Sequence, residues 1–472
     1  MPAKILYCLL PILLIFSAEI HGQEQVFECE LKLGKKFDTY HVVDRTRPQQ
    51  YLVLVAYDNV HVIVMDSAMN KIGEKTYPIT LKEEKFYLTE PLSFVARDGI
   101  IHGYYANYGL TVVGYLEFNL RAKRIRRGQV PIDLSRKDEF LFHYVLDGEF
   151  HVMSSRKKSN ILNFYKVLTP KNIERIQYNI TQYRNLYATF KNISAPKDMD
   201  IGIVMPDEEP RLVMATKKIK AYPERDRLTI TMETVLGTEF IALDLIDKDY
   251  TEKVVHYRRF NKEGMTNNSN SFLYKDLHLV ARSSGEELLV YINHKDSTEA
   301  LFKERFEKDM QEIPFSNVMA DGKKIYTASR YYRNNPRDFM RAIDDGNVGL
   351  HIDDYDSFFV MTVGNFEEAI RPLTDPFRSR VAGRNAGASS YFQAKLSKDL
   401  EWLPGKIAEE SDRKLNAFFD QNDFKARFVY AFKHEGMDYI SFQNRKTKKY
   451  HLYAYREDTG PAAAMLSPKV KE

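Results

Sequence analysis

The sequence predicts an all-β protein, a β-propeller of about seven blades with six or eight as the neighbouring counts, and three observations carry that prediction. Runs of β-branched and aromatic residues alternate with polar ones at period 2, the spacing that puts one face of a strand into a core. The runs pair across short turns rich in Asp, Asn, Lys or Ser, and the paired unit recurs along the chain. A 3.6-residue apolar period over long windows is absent, which disfavours helical architectures.

The hairpins run in order from Val60 (VHVIVMDSAMNKIGEKTYPI), Tyr108 (YGLTVVGYLEFNLRAKRIRRGQVPI), Phe150 (FHVMSSRKKSNILNFYKVL), Thr238 (TEFIALDLIDKDYTEKVVHYRRF), Glu287 (ELLVYINHKDSTEALFKERF), Ser390 (SYFQAKLSKDLEWLPGKI) and Asp438 (DYISFQNRKTKKYHLYAYRE). Most follow a further short apolar strand, such as YLVLVAY at 51–57, RLTITME at 227–233 or ARFVYAFK at 426–433, so a unit of three or four antiparallel strands repeats. Four of the six intervals between hairpin starts are about 40 to 50 residues, the form of a propeller blade. The two longer intervals suggest a less obvious unit inside each, with NLYATFKNISAPKDMDIGIVM and KKIYTASRYYRNNPRDFMRAI as candidates. A single four-stranded sheet cannot cover both of its faces, whereas radial stacking covers all of them. The final hairpin is therefore expected to share a sheet with an N-terminal strand such as QVFECELKL (25–33) and close the ring. Two β-sandwiches are the alternative architecture.

The ends and interruptions complete the organisation. Residues 1–22 read as a secretory signal peptide: Lys4 precedes an apolar run from Ile5 to about Ala18, too short for a membrane span, with cleavage after Gly22 or, alternatively, Ala18. The propeller domain is assigned to 23–460 and a disordered tail to 461–472. Within the domain, 364–389 reads as a Gly-, Ala- and Arg-rich loop insertion, and a short helix is expected near 404–420. Cleavage would remove Cys8 and leave Cys29 alone, so the mature chain would have no internal disulfide. That pattern points to the bacterial periplasm or cell surface. The net charge of +4 is spread over interleaved acids and bases, a mixed surface that excludes a nucleic-acid footprint. The basic runs RAKRIRR (121–127) and RKTKK (445–449) fall where hairpin turns are expected.

No G-x-S-x-G, HExxH, Walker A or paired CxxC motif occurs, and Cys29 in an alternating strand reads as a core thiol. The densest acidic stretch, DDGNVGLHIDDYDSFF, places Asp353, Asp354 and Asp356 around His351. Grouped carboxylates can bind a hard cation, but this spacing matches no calcium loop, and a solvated turn at the entrance to a strand is the plainer reading; no metal or cofactor is assigned. Upstream, SRYYRNNPRDFMR carries Arg330, Tyr331, Tyr332 and Arg333. Guanidinium groups beside Tyr faces suit a protein hot spot or an acidic sugar, and a Tyr-rich strand flanked by solvated arginines is the plainer reading.

The single tryptophan, Trp402, excludes propeller families that spend a Trp in every blade. The C-terminal segment FKHEGMDYISFQNRKTKKYHLYAYRE resembles the closing hairpin of uncharacterised exported bacterial proteins that look like β-propellers. The resemblance covers about the last third of the chain, rests on pattern, and implies a propeller with no known activity. The expected function is an exported, non-enzymatic module binding a protein partner or acting as a scaffold in the bacterial envelope, with no nucleic-acid partner and no membrane span in the mature chain. The alternatives are a glycan-binding propeller and a polysaccharide-active enzyme using His351 and Asp354 as acid and base.

Overall fold

The computed structural model describes residues 23–455 apart from 32–36, 80–87, 194–200, 207–210, 257–267, 311–318, 322–329, 333–335, 369–386, 405–425 and a few short gaps (108, 133, 135–136, 184–185, 235–236, 285 and 298). The expected leader, the 404–420 helix and the 461–472 tail lie almost entirely outside the described residues.

Thirty strands form six sheets among the described residues, one of them an eight-stranded pair of blades, so seven blades repeat and the fold is a β-propeller. Strand β1 (Gln23–Glu30) precedes blade 1, which is β2 (Phe37–Asp44), β3 (Gln49–Ala56), β4 (Asn59–Asp66) and β5 (Lys71–Pro78). Blade 2 is β6 (Leu88–Arg97), β7 (Ile100–Asn107), β8 (Val113–Asn119) and β9 (Arg124–Gln129). Blade 3 is β10 (Asp138–Leu146), β11 (Glu149–Arg156), β12 (Ile161–Thr169) and β13 (Asn172–Asn179). Blade 4 has five strands, β14 (Ile201–Ile203), β15 (Ile219–Pro223), β16 (Arg227–Glu233), β17 (Gly237–Asp244) and β18 (Tyr250–His256). Blade 5 is β19 (Asn268–Tyr274), β20 (Leu277–Ser283), β21 (Glu287–His294) and β22 (Ala300–Glu307). Blade 6 contains β23 (Met319–Asp321), β24 (Arg330–Tyr332), β25 (Asn347–Asp354), β26 (Phe359–Glu368) and β27 (Gly387–Leu396), in the order β24-β23-β27-β26-β25. Blade 7 is β28 (Ala426–His434), β29 (Met437–Asn444) and β30 (Lys449–Tyr455), completed on its outer side by β1. The first strand among the described residues thus closes the last blade, as the sequence predicts.

Blades 1, 2, 3, 5 and 7 are meanders with their first strand at the inner end, whereas in blade 4 β14 adds parallel to β15 and in blade 6 β25 takes the inner place with β23 and β24 outside β27. β2 and β6 meet in parallel at Asp44 and Ala96, joining blades 1 and 2 into one eight-stranded sheet. Because the inner strands run the same way, the turns that follow them gather at one mouth of the ring. Three of these turns are two-residue loops with both residues at positive φ, namely Asp98-Gly99, Asp147-Gly148 and Glu435-Gly436. That left-handed pair matches the twist of the flanking strands, and glycine takes the second position without steric cost.

Neighbouring blades fuse their facing side chains into shared cores. Blades 7 and 1 meet through Phe27, Tyr450 and Leu452 against Leu52, Leu54 and Ile63. Tyr51 and Val53 of blade 1 join Tyr105 and Phe118 of blade 2. Tyr104 stacks on Phe150 across the seam of blades 2 and 3, with centroids 4.3 Å apart. Blades 3 and 4 share Met153, Phe164, Ile230 and Ile241, and blades 5 and 6 share Leu288, Val290, Leu350 and Met361. Each such buried side chain contributes about 1.5–3 kcal/mol, and the one cysteine among the described residues, Cys29, is a buried free thiol.

The two long intervals in the hairpin spacing hold no extra blade among the described residues, which corrects the expectation of a hidden unit in each. The first carries helix α1 (Leu186–Ile193), strand β14 and helix α2 (Leu212–Ala215); the second carries β23, β24 and helix α3 (Pro336–Asp345). Leu186 and Phe190, one turn apart, seat α1 in the core between blades 3 and 4. The insertion expected at 364–389 is trimmed at both ends, because β26 runs to Glu368 and β27 starts at Gly387; 369–386 lie outside the described residues.

Candidate functional site

The residues proposed from sequence fall into two separated groups of blade 6. His351, Asp353 and Asp354 lie on β25, the innermost strand, and Asp356 in the turn that follows it. Arg330, Tyr331 and Tyr332 form β24, at the opposite edge of the same sheet. Four strand spacings separate these edges, about 19 Å, so the two groups do not converge. Arg333 lies outside the described residues.

Within the inner group, side-chain direction follows strand alternation. His351 and Asp353 share a face, with Nδ1 3.4 Å from Oδ1, and His351 is buried beside Phe272. Asp354 points to the other face, where it accepts from Lys275 Nζ at 2.7 Å and from the Tyr274 hydroxyl and Lys398 Nζ. Burial alone would raise its pKa, but these bonds and the lysine charges hold the carboxyl well below the usual range. Asp354 is therefore a fixed anion bracing blade 6 to the β19–β20 turn of blade 5. It has no free proton for acid catalysis and lies across the strand from His351.

The same kind of bracing recurs around this mouth. Asp44, buried at the end of β2, accepts from Gly99 N (2.7 Å), Thr46 N (3.0 Å), Thr46 Oγ1 (2.7 Å) and Tyr51 OH (3.3 Å). Burial would raise its pKa, and these donors lower it instead. Thr46 Oγ1 accepts from Asp98 N at 2.7 Å, and Arg45 reaches Asp147 of blade 3 at 2.7 Å. One turn of blade 1 thus holds the corresponding turns of blades 2 and 3.

Farther in, the structure assembles a cluster that sequence reasoning missed. Lys218 and Lys220 point from blade 4 toward blade 5, and Lys220 is 1 % exposed. Lys220 Nζ donates to Asn270 Oδ1 at 2.6 Å and to Lys217 O, while Asn270 Nδ2 donates to Val348 O of blade 6 at 2.9 Å. In parallel, Lys218 Nζ donates to Asn268 Oδ1 at 3.2 Å and to Ser269 O, and Asn268 Nδ2 donates to Ile343 O at 2.9 Å and to Gly346 O. Two Lys–Asn–carbonyl relays therefore cross three blades. Glu233, Thr238, His278 and Arg282, all buried, fill the seam behind them; Thr238 Oγ1 donates to Glu233 Oε2 at 3.1 Å and lies 3.2 Å from His278 Nε2. Burial pushes the Lys220 ammonium down to about 7 against the pull of Glu233, and burial with the Lys253 and Lys220 charges pushes His278 down to about 3.

Helix α2, from blade 4, reaches the inner strand of blade 6. A side chain at Gly349 of β25 would stand 2.7 Å from Thr216 Cγ2 and 2.8 Å from Thr216 N, so only glycine allows this approach. The legible signal for the lysines was the alternation in KIKAYP (218–223), a strand immediately before the one read at 227–233. With its protons directed at two acceptors inside a closed seam, the Lys220 amine acts as a clamp.

The chain matches no protein-family model, and no curated protein sequence matches it. Among solved structures it is similar to the β-propeller domain of Nup133 from Vanderwaltozyma polyspora, at 8% identity and a TM-score of 0.38, covering 92% of this chain and 97% of that one. A prolyl endopeptidase aligns at 9% identity and a TM-score of 0.36, over 89% of this chain and 50% of the endopeptidase. The Synechocystis apocarotenoid oxygenase aligns at 7% identity and a TM-score of 0.30, over 58% of this chain and 63% of the oxygenase. The chain thus spans less than two thirds of the oxygenase and half of the endopeptidase. The propeller assignment rests on the strand topology described above.

Proposed function

We propose that this chain is an exported, non-enzymatic propeller that binds a protein partner, or holds partners together, in the bacterial cell envelope. One observation carries the reading: the turns at one mouth are bonded to each other across blades, through Asp44 and Gly99, Thr46 and Asp98, Arg45 and Asp147, and Lys275 and Asp354. A partner that meets turns already held in place pays little ordering entropy, so such a surface favours macromolecular recognition. Asp354 and Asp356 belong to this mouth, and the β24 segment Arg330 to Tyr332 would form a second contact at the outer edge of the same blade.

The test is mild crosslinking of the tagged, mature protein in its native envelope, followed by affinity capture and stoichiometry from mass spectrometry. A stoichiometric protein partner that is lost on Asp356→Lys with Arg45→Glu, while the melting temperature is kept, is the expected result. Recovery of no protein partner would overturn the reading and turn the search to glycans. The intact mass of the exported protein tests the leader separately, the expected first residue being Gln23.

A further inference from the structure

Carboxylates brace the mouth turns of blades 1 to 3 and of blades 5 and 6, but where blade 7 meets blade 1 the brace has a different chemistry. Gln50 of β3, 3 % exposed, lies between two imidazoles from the facing blades. Its Oε1 is 2.6 Å from His41 Nε2 on β2, and its Nε2 is 2.6 Å from His434 Nε2 at the end of β28. His41 stacks on Phe432 of β28 with centroids 4.1 Å apart, and its ring lies 5.6 Å from that of His434. Two further titratable groups face the pair: the Tyr430 hydroxyl, which accepts from His41 N at 3.2 Å, and the Glu435 carboxylate, 3.8 Å from His434 Nε2.

A primary amide presents an acceptor at one end and donors at the other. Whichever way Gln50 is turned, one imidazole must bring it an N–H and the other a bare nitrogen. That demand is met with both rings neutral and with one of them protonated. It fails with both protonated, because an N–H then faces the amide's own donors and two cations stand 5.6 Å apart.

We propose that the His41–Gln50–His434 relay is a proton-operated latch: its second proton parts blade 7 from blade 1 and opens the ring at the seam where it closes. The first proton goes to His434, because Glu435 draws it there against the effect of burial. The second must enter at His41, which burial, and then the His434 charge, push down to about 4. Once the blades part, His41 titrates near its ordinary value of about 6.5. The closed seam therefore holds its full advantage above about pH 6.5 and loses it, about tenfold per pH unit, as pH falls from there toward about 4. The latch is independent of any partner at the mouth.

The buried Cys29 thiol of β1, in the core shared by blades 7 and 1, reports the opening. The full chain is labelled with dithiodipyridine from about pH 7 to about pH 4.5, and the product at Cys29 is read by peptide mass and divided by the rate in the urea-unfolded chain at each pH. The expected result is a relative rate that climbs about tenfold per unit below about pH 6.5, while amide protection in β11 and β16 of blades 3 and 4 is kept. Gln50→Glu gives both protonated rings an acceptor and should abolish the climb. A relative rate indifferent to pH, a climb that persists in Gln50→Glu, or a parallel loss of protection in β11 and β16 overturns the proposal. Where Gln50→Glu fails to fold, His434→Gln decides, since its amide can pair with Gln50 and takes no proton. A flattened climb then supports the latch, and an undiminished one refutes it.

Discussion

Blade 4 has two faces that obey opposite rules. Toward blade 3 it presents Ile219, Ala221, Leu228, Ile230, Met232, Ile241 and Leu243, a surface of hydrocarbon alone. Toward blade 5 the intervening residues of the same strands present Lys220, Thr231, Glu233 and Thr238, just as thoroughly buried. The first face would accept many apolar neighbours of the right volume. The second accepts only a neighbour that supplies Asn268, Asn270 and His278 at the right places, because an unpartnered buried ammonium is costly. The contrast teaches that apolar seams hold the ring together, while a polar seam specifies which blade sits next.

The largest test removes the seam's carboxylate. Glu233→Ala withdraws the charge that Lys218 and Lys220 respond to, and urea unfolding should register a loss of about 3–5 kcal/mol. On the hydrocarbon face, Ile230→Ala should cost about 2–4 kcal/mol, and a larger loss there than at Glu233 would break the comparison. Acid sharpens it further. His278 is neutral in the fold, with its pKa near 3, and takes up a proton near 6.5 when unfolded. Its contribution is therefore complete above pH 6.5 and is lost as pH falls from 6.5 toward 3, by about 1.4 kcal/mol per unit. Unfolding curves at several pH values should show that slope, and His278→Gln should flatten it. The smallest effect belongs to the mouth: Asp354, part-exposed and paired with lysines, should lose less than about 1 kcal/mol as Asp354→Asn, and the slope above about pH 4, before this carboxylate titrates in the unfolded chain, should stay unchanged.

The blade count was legible because each blade contributes one strong hairpin, and seven hairpins became seven blades. The closing strand was legible too, since Phe27 and Cys29 alternate with Glu28 and Glu30 and need a partner face. The polar seam was not, because alternation tells which residues face one way and is silent on whether the other side is wet. In a propeller both sides of a blade are covered, so KIKAYP reads as a half-solvated strand while Lys220 is sealed inside. The helices escaped by being short: α3 begins at Pro336 and buries Phe339, Met340 and Ile343, a pattern too brief to compete with the surrounding strand signal. Candidate residues close in sequence, Tyr332 and His351, ended at opposite edges of one sheet because β23 and β24 fold back outside β27, a topology no local pattern encodes.

The closure of the ring also fixes how it responds to force. β1 and β30 run antiparallel, with Gln23 beside Tyr455 and Glu30 beside Lys449, so the described residues begin and end at the same end of one strand pair. A pull between them loads a single rung at a time, beginning at Gln23 and Tyr455. The circle is thus tight against heat, where the shared cores act together, and soft against traction, where it peels open from its clasp.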